Sequence, residues 1–225
     1  MSVVERVHFQ LWRLRDRIRD CARGRAHRTE VFQRIHNGNL WAGSESVSGS
    51  GSDTTATEVV RDELPVLFRR LGVHTVLDAP CGDFFWMREV VGSLAQYTGV
   101  DIVPELIQRN EAAYASTAVS FLCADITVDR LPPAELILCR DCFIHLPTRM
   151  IRAALRNFRS SGARYLLLTS DRDAGPYHDI PIGSFRPIDF TRAPFHFPAP
   201  VAALSEEPEG SRQLCLWELR SLPVG

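Results

Sequence analysis

Val76-Leu-Asp-Ala-Pro-Cys-Gly-Asp-Phe84 is the segment of this chain that most strongly indicates its fold. It is the first of three places where a short apolar run leads into an acidic residue, with helix-like segments between them. The runs are residues 73–77, 97–100 and 119–123, and the acids are Asp78, Asp101 and Asp125. Such runs are typical of buried strands, and the carboxyl ends of parallel strands meet at one edge of a sheet. The three acids are therefore expected to line one cleft, suited to a ligand with an amino-bearing end, a ribose and an amino-substituted purine.

Three segments around these acids carry a resemblance to a known family. They are Asp78-Ala-Pro-Cys-Gly-Asp83, Val100-Asp101-Ile102 and Ala124-Asp125-Ile126. They resemble the first motif, the ribose motif and the adenine motif of class I S-adenosylmethionine-dependent methyltransferases. The usual turn of the first motif has three glycines, of which only Gly82 is present here, with Pro80 and Phe84 at the flanking positions.

A narrower resemblance covers roughly residues 31–221. The residues that carry it are Asn39-Leu-Trp41, Glu45-Ser-Val-Ser-Gly-Ser-Gly-Ser52, Pro80-Cys-Gly-Asp83, Trp86-Met87, Cys139-Arg-Asp141, His145 and Phe185-Arg-Pro187. They are similar to those of a bacterial family of small methyltransferases whose substrates are largely unassigned.

The resemblance implies an α/β fold: a Rossmann-like, seven-stranded, mostly parallel sheet with a C-terminal antiparallel hairpin, helices on both faces and an N-terminal helical extension. Further strands are predicted at residues 135–139 and 164–169, and the hairpin strands at 200–205 and 214–219. Crossover helices are predicted at 84–94, 104–115 and 147–160. Another helix is expected from Asp53 or Thr54 to about Leu71, with Pro65 bending it. We assign residues 1–30 to the extension and 31–225 to the methyltransferase domain, with a lid at 31–56 and a substrate-facing insertion at 171–200.

Residues 3–22 carry an apolar stripe at helical spacing. The stripe is Val4, Val7, Leu11, Leu14 and Ile18, and Arg13, Arg15, Arg17 and Arg19 lie largely elsewhere on the helix. Such a helix can cover the domain or pair with a second copy in a homodimer. A basic amphipathic helix can also make a peripheral contact with an anionic membrane or dock a partner.

The composition indicates an ordinary globular protein of 225 residues, 45% hydrophobic and 24% charged, with a net charge of −1. This charge does not indicate a nucleic-acid binder. All 26 basic residues are arginine, which excludes Schiff-base chemistry and a P-loop lysine. The chain lacks an apolar run long enough for a membrane span and the apolar core of a signal peptide, and its six scattered cysteines fit reduced core residues. A cytoplasmic location is therefore expected.

The resemblance implies a set of residues that bind S-adenosylmethionine. The turn at 80–83 is expected to present backbone N–H groups to the methionine carboxylate, and Asp78 or Asp83 to accept from the ammonium group. Asp101 is expected to bind the ribose hydroxyls and Asp125 the adenine amino group. The full predicted set is Trp41, Asp78, Pro80, Cys81, Gly82, Asp83, Asp101, Ile102, Asp125, Ile126 and Arg140, with the two isoleucines on either side of the adenine ring.

Cys139-Arg-Asp-Cys-Phe-Ile-His145-Leu follows the fourth predicted strand, where class I enzymes present groups to the transferable methyl. His145 is the first candidate for a catalytic base because histidine titrates near neutrality, and Asp141 is the second. Arg140 can instead pair with a cofactor-site carboxylate or orient an anionic acceptor. The lone pair of Cys139 and Cys142 is weak support for a zinc or redox site.

Contacts with the acceptor are predicted for Glu45, Phe185 and Arg186. No metal site is predicted, since His178 and Asp179 lack a ligand spacing that would join them to Asp141. We interpret the chain as a methyltransferase for a small molecule, more readily at a hydroxyl of a glycosyl group or secondary metabolite than at nitrogen. The alternatives are a non-catalytic S-adenosylmethionine-binding regulatory or scaffold protein and, with the same fold, an NAD-dependent dehydrogenase.

Overall fold

The computed structural model describes residues 3–206 and 210–223. Residues 207–209, in the predicted hairpin connection, lie outside this description. So do the side chains at 3–7, 9, 13 and 21, which include the predicted stripe positions Val4 and Val7, Arg13, and the thiol of Cys21.

Seven strands of the described chain form one sheet in the order β3-β2-β1-β4-β5-β7-β6. They are β1 (Thr75–Asp78), β2 (Gln96–Asp101), β3 (Val119–Cys123), β4 (Leu136–Cys139), β5 (Tyr165–Asp171), β6 (Ala202–Ser205) and β7 (Arg212–Glu218). The pairs β3–β2, β2–β1, β1–β4 and β4–β5 are parallel, and β7 is antiparallel to both β5 and β6. The predicted seven-stranded, mostly parallel sheet with a C-terminal antiparallel hairpin is confirmed.

Helices cover both faces of this sheet. They are α1 (Val3–Arg23), α2 (Arg25–Asn37), α3 (Glu58–Leu71), α4 (Pro104–Tyr114) and α5 (Thr148–Ser160). The central strands are buried on both sides, so alternate side chains enter different cores. Leu136 and Leu138 of β4 pack with α3, while Ile137 and Cys139 pack with α5 and α2.

The predicted helix at residues 84–94 is wrong. The segment contains two short 3₁₀ turns, Met87–Glu89 and Val91–Ser93. Phe84 has a positive φ of 60° and packs its ring against Tyr97 and Phe121. Trp86, two positions later, is also buried in this core. Two positions are about 200° apart on an α-helix, so a regular helix could not direct both aromatic rings into one core.

The helix predicted to begin at Asp53 or Thr54 begins instead at Glu58, and it contains Pro65. Asp53 caps no helix, because its carboxylate accepts hydrogen bonds from the Ser44 and Glu45 backbones at 3.1 Å and from the Ser46 backbone at 3.0 Å. The Ser44 hydroxyl, which also donates to this carboxylate at 2.7 Å, and the three backbone bonds lower the pKa of Asp53 to about 2. Together they fold the Ser/Gly-rich segment back on itself.

The predicted N-terminal helix is confirmed as α1, but α2 was not predicted as a separate helix. The predicted boundary between residues 30 and 31 lies inside α2. Within the described residues, none of the helices is both long and apolar enough to cross a bilayer.

Candidate cofactor and active site

One pocket lies at the carboxyl ends of β1, β2 and β4. It is lined by every residue predicted to bind the cofactor or act in catalysis: Trp41, Asp78, Pro80, Cys81, Gly82, Asp83, Asp101, Ile102, Asp125, Ile126, Arg140, Asp141 and His145. The parallel pairing of β3, β2 and β1 explains why acids far apart in sequence meet here.

The turn after β1 requires the glycine that the sequence retains. Gly82 has a φ of +56°, and a Cβ atom there would lie 2.2 Å from Oγ of Ser48. Its N–H donates to Oδ2 of Asp101 at 3.3 Å, and its carbonyl accepts from Nδ2 of Asn110 at 2.8 Å. Asn110 thus fixes the turn from α4, a role that the sequence did not reveal.

Asp78 and Asp101 are buried carboxylates with few partners. Asp78 accepts a hydrogen bond of 2.7 Å from the hydroxyl of Tyr97, and burial raises the pKa of Asp78 to about 7. Asp101 accepts from the backbone N–H of Val103 at 3.0 Å and of Gly82, and burial raises its pKa to about 6. A carboxylate offers about four acceptor positions, so both acids can accept further donors from a ligand.

Asp125 is already paired within the protein. Nε of Arg28 donates to its Oδ2 at 2.6 Å, and Thr127 donates to its Oδ1 through the backbone N–H at 2.9 Å and the hydroxyl at 2.6 Å. Arg28 comes from α2 and also lines the pocket. Sequence reasoning missed it, because nothing in the spacing of α2 marks one of its arginines as buried.

Asp83 anchors the Ser/Gly-rich segment to the turn. Its carboxylate accepts from Oγ of Ser46 at 2.9 Å, from the N–H of Val47 at 3.0 Å and from Oγ of Ser48 at 3.2 Å. Its own N–H donates to Oγ of Ser48 at 2.9 Å. Residues 46–48 therefore lie over the pocket wall, and of the two acids predicted to accept from an ammonium group, Asp78 has the more open carboxylate.

His145 lies in a 3₁₀ turn, Phe143–His145, that follows β4. Its Nδ1 is 2.9 Å from the carbonyl oxygen of Ser184. A carbonyl oxygen can only accept, so Nδ1 carries the proton and the neutral ring keeps its lone pair on Nε2. The ring stacks on Trp41 with a centroid distance of 4.5 Å and an interplanar angle of 25°. Burial lowers the pKa of His145 below its ordinary value.

Asp141 is flanked by cations. Its Oδ2 lies 3.3 Å from Nη1 of Arg140, and its Oδ1 lies 3.6 Å from Nη1 of Arg212. Its backbone has a φ of 50° and donates to the Thr169 hydroxyl at 2.8 Å. Arg140 also donates to the buried carboxylate of Glu206, so it pairs with Glu206 and Asp141. Arg212 and Glu206 belong to the C-terminal hairpin, too far along the chain for spacing to connect them with this site.

The residues predicted to contact the acceptor lie outside the pocket wall. Glu45 is exposed, and its carboxylate accepts from the N–H of Thr54 at 2.7 Å. Arg186 is fully buried and donates to the hydroxyl of Tyr177 at 2.9 Å. Phe185 is 56% exposed, with its ring 6.0 Å from that of His145. The acceptor contacts of Glu45, Phe185 and Arg186 stay predictions, and of the three residues Phe185 lies beside the site.

No metal centre is formed by the described residues, among which no three His, Cys, Asp or Glu side chains are grouped to hold an ion. Cys139 and Cys142 are both free thiols, and Cys139 is fully buried. Asp179 accepts from the N–H and hydroxyl of Thr148 at 2.7 and 2.8 Å.

Residues 76–162 match a protein-family model described as a methyltransferase domain. These residues form a methyltransferase domain. The matched residues include β1 from Val76 onward, β2 to β4, α4 and α5, and with them most of the pocket. The cofactor of this methyltransferase is S-adenosylmethionine, which replaces the dehydrogenase interpretation that the sequence left open. No curated protein sequence matches the chain.

Solved structures share the fold of the methyltransferase. The 1,6-didemethyltoxoflavin-N1-methyltransferase of Burkholderia thailandensis is 16% identical, with a TM-score of 0.56 over 84% of this chain and 85% of that one. Human N-acetylserotonin methyltransferase is 13% identical, with a TM-score of 0.52 over 89% and 58%. The N-methyltransferase NodS of Bradyrhizobium japonicum is 18% identical, with a TM-score of 0.50 over 63% and 74%. At these identities the similarity shows the fold alone.

Proposed function

We propose that this methyltransferase transfers the methyl group to a hydroxyl of a small molecule, with His145 as the general base. The observation that carries the proposal is the hydrogen bond from Nδ1 of His145 to the carbonyl of Ser184. It leaves Nε2 as the acceptor on a ring that lines the pocket, and burial favours the neutral form of that ring. A hydroxyl acceptor needs such a base, because its proton must leave as the new bond forms.

The carboxylates of the pocket fit S-adenosylmethionine, which supplies a methyl group already activated on a sulfonium. Asp78 would accept from the ammonium group and Asp101 from the ribose hydroxyls, since both are buried and have open acceptor positions. Asp125 uses three of its roughly four acceptor positions within the protein and keeps one for the adenine amino group. Ile102 and Ile126 would lie on either side of the adenine ring.

The surroundings of Asp141 favour His145 over Asp141 as the base. Two guanidinium groups, from Arg140 and Arg212, face the carboxylate oxygens of Asp141 at 3.3 and 3.6 Å. An oxygen engaged in such a pair has fewer acceptor positions left for the proton of a hydroxyl. We assign Asp141 the role of holding Arg140 and the turn before His145 in place.

Aromatic side chains around His145 favour an acceptor with a flat or apolar face next to its hydroxyl. Trp41 stacks on the imidazole, and Phe185 presents its ring on the exposed side. Rings of this kind pack well against the apolar face of a sugar or of an aromatic metabolite. We therefore propose a glycosyl or secondary-metabolite hydroxyl as the acceptor.

We propose a cytoplasmic location for the enzyme. Five cysteines have described side chains, and all five are free thiols: Cys81, Cys123, Cys139, Cys142 and Cys215. Unpaired buried thiols are typical of proteins that work in a reducing compartment.

The proposed acceptor atom is tested by labelling. The protein is incubated with S-adenosylmethionine carrying a carbon-13 methyl group and a panel of small molecules with hydroxyl or amine groups. The carbon chemical shift of the labelled methyl separates an O-methyl from an N-methyl product. We expect O-methyl products that disappear with His145→Ala and persist with His178→Ala, a substitution at an exposed histidine outside the pocket wall. N-methyl products alone, formed equally by the His145 variant, would contradict the proposal.

A further inference from the structure

The apolar face of α1 is turned away from the rest of the protein. Leu11, Leu14 and Ile18 are 47%, 55% and 58% exposed. Their spacing of three and four positions places them in one stripe along the helix. Asp16 and Asp20, two positions after Leu14 and Ile18, lie about 200° around the helix from them, and both acids are buried. Between residues 11 and 20, the amphipathic helix thus buries its two acids and exposes Leu11, Leu14 and Ile18.

Buried polar contacts fix this orientation. Oδ1 of Asp16 lies 2.9 Å from Nε2 of His27, and Oδ1 of Asp20 accepts from Nη1 of Arg28 at 2.7 Å. The other oxygen of Asp20 accepts from Arg149 of α5. Turning α1 to bury its leucines would break these contacts and leave Arg28 buried without part of its counter-charge, which is strongly unfavourable. The apolar stripe therefore remains outside.

The exposed stripe is bordered by positive charge. Arg15, Arg17 and Arg19 are all exposed, and they lie on the flanks between the apolar stripe and the buried acids. Among residues 8–23, the two acids both face inward. A second copy of the chain packed stripe to stripe would bring these arginines together. An anionic surface would instead complement both the stripe and its border.

We propose that α1 lies flat on a membrane surface of anionic phospholipid. Leu11, Leu14 and Ile18 enter the boundary between headgroups and acyl chains, and the three arginines contact the phosphates. A helix of 21 residues lies about 30 Å along such a surface. Asp16 and Asp20 hold α1 to the rest of the protein. Binding of α1 to the membrane therefore also holds the catalytic domain at its surface.

Flotation with lipid vesicles tests the proposal on the full-length protein. We expect it to bind vesicles containing phosphatidylserine far more strongly than vesicles of phosphatidylcholine alone, and to be released by high salt. Arg15→Gln, Arg17→Gln and Arg19→Gln together should lower the partition coefficient roughly a hundredfold. Leu11→Ser, Leu14→Ser and Ile18→Ser together should lower it at least about a hundredfold as well.

The matched control replaces three exposed apolar residues outside α1, Val66, Val128 and Val201, with serine. All variants change exposed side chains, so circular dichroism should show each of them folded. Vesicle binding that survives the α1 serine substitutions, or that the control substitutions abolish equally, overturns the proposal. So does a dimer, seen by sedimentation, that the α1 serine substitutions dissociate while anionic vesicles fail to bind the wild-type protein.

Discussion

Nε of Arg28 donates a hydrogen bond of 2.6 Å to Oδ2 of Asp125, and both side chains are buried. The contact joins α2 to the loop that follows β3 at the wall of the cofactor pocket. Through Asp20, the same guanidinium reaches α1. The N-terminal helices are thus connected to the pocket by buried charges.

We predict that Arg28→Met lowers the free energy of unfolding by about 3–5 kcal/mol, because it leaves the charge of Asp125 buried and unpaired. Urea denaturation gives this value. The control is Arg23→Met, which removes an exposed pair with Glu30 and should cost less than about 1 kcal/mol. Equal losses of unfolding free energy in the two variants would show that the pair of Arg28 and Asp125 does not stabilise the fold.

We predict that Asp101→Ala weakens the binding of S-adenosylmethionine about ten- to hundredfold, since losing the hydrogen bonds of the two ribose hydroxyls to a charged acceptor should cost roughly 1.5–3 kcal/mol in total. Titration calorimetry on the folded variant measures the change. Unchanged affinity would remove Asp101 from the ribose site.

We predict that cofactor affinity falls as the pH drops below neutrality. Burial raises the pKa of Asp78 to about 7 and that of Asp101 to about 6, so both acids take up protons in this range when the pocket is free. A ligand that donates hydrogen bonds or carries a positive charge favours their ionised forms, and must displace those protons. Between pH 7 and pH 5 the affinity should fall by roughly 10²–10³-fold. Calorimetry in two buffers of different ionisation enthalpy should show proton release at pH 6, and a flat profile without proton release would be the contrary result.

We predict that His145→Ala lowers turnover by about 10²–10⁴ while cofactor affinity changes little, which is the usual contribution of a general base. The wild-type rate should fall as the pH drops through the pKa of His145. Because burial lowers that pKa, the rate should stay constant to a lower pH than for an exposed histidine. Asp141→Asn should have the milder effect on turnover. The reverse ranking, measured in single-turnover experiments, would make Asp141 the base.

We predict that Gly82→Ala loosens the segment at residues 43–52, because the new Cβ would meet Oγ of Ser48. Gly72→Ala is the control: Gly72 also has a positive φ, of +64°, but open space around it. Both variants should lose about 1–2 kcal/mol through backbone strain, and only Gly82→Ala should also increase proteolysis of residues 43–52. Cofactor should protect this segment in the wild type if it acts as a lid. Equal proteolysis of the two variants would count against the contact with Ser48.

The strands and the residues of the pocket could be predicted because their signals are local. An apolar run followed by an acid indicates a buried strand and the carboxyl end of that strand, and the whole signal lies within a few residues. The segment at 84–94 could not be predicted in this way, because Phe84 and Trp86 both enter one core and override the helical spacing. The surroundings of Arg186 and Glu45 could not be predicted either, since the sequence does not show whether a polar side chain near a site faces a ligand or a neighbouring residue.

A parallel sheet with three acids at one edge and an amphipathic N-terminal helix can be predicted from the local sequence. Which residues complete the site, and which way that helix faces, depends on the packing of the folded chain. Arg28, Ser48, Tyr97 and Arg212 reach the acids from distant segments, and no spacing records such contacts. The apolar stripe of α1 faces outward because Asp16 and Asp20 have partners on the domain. Burial of paired charge decides that orientation, and the partners are known only once the chain has folded.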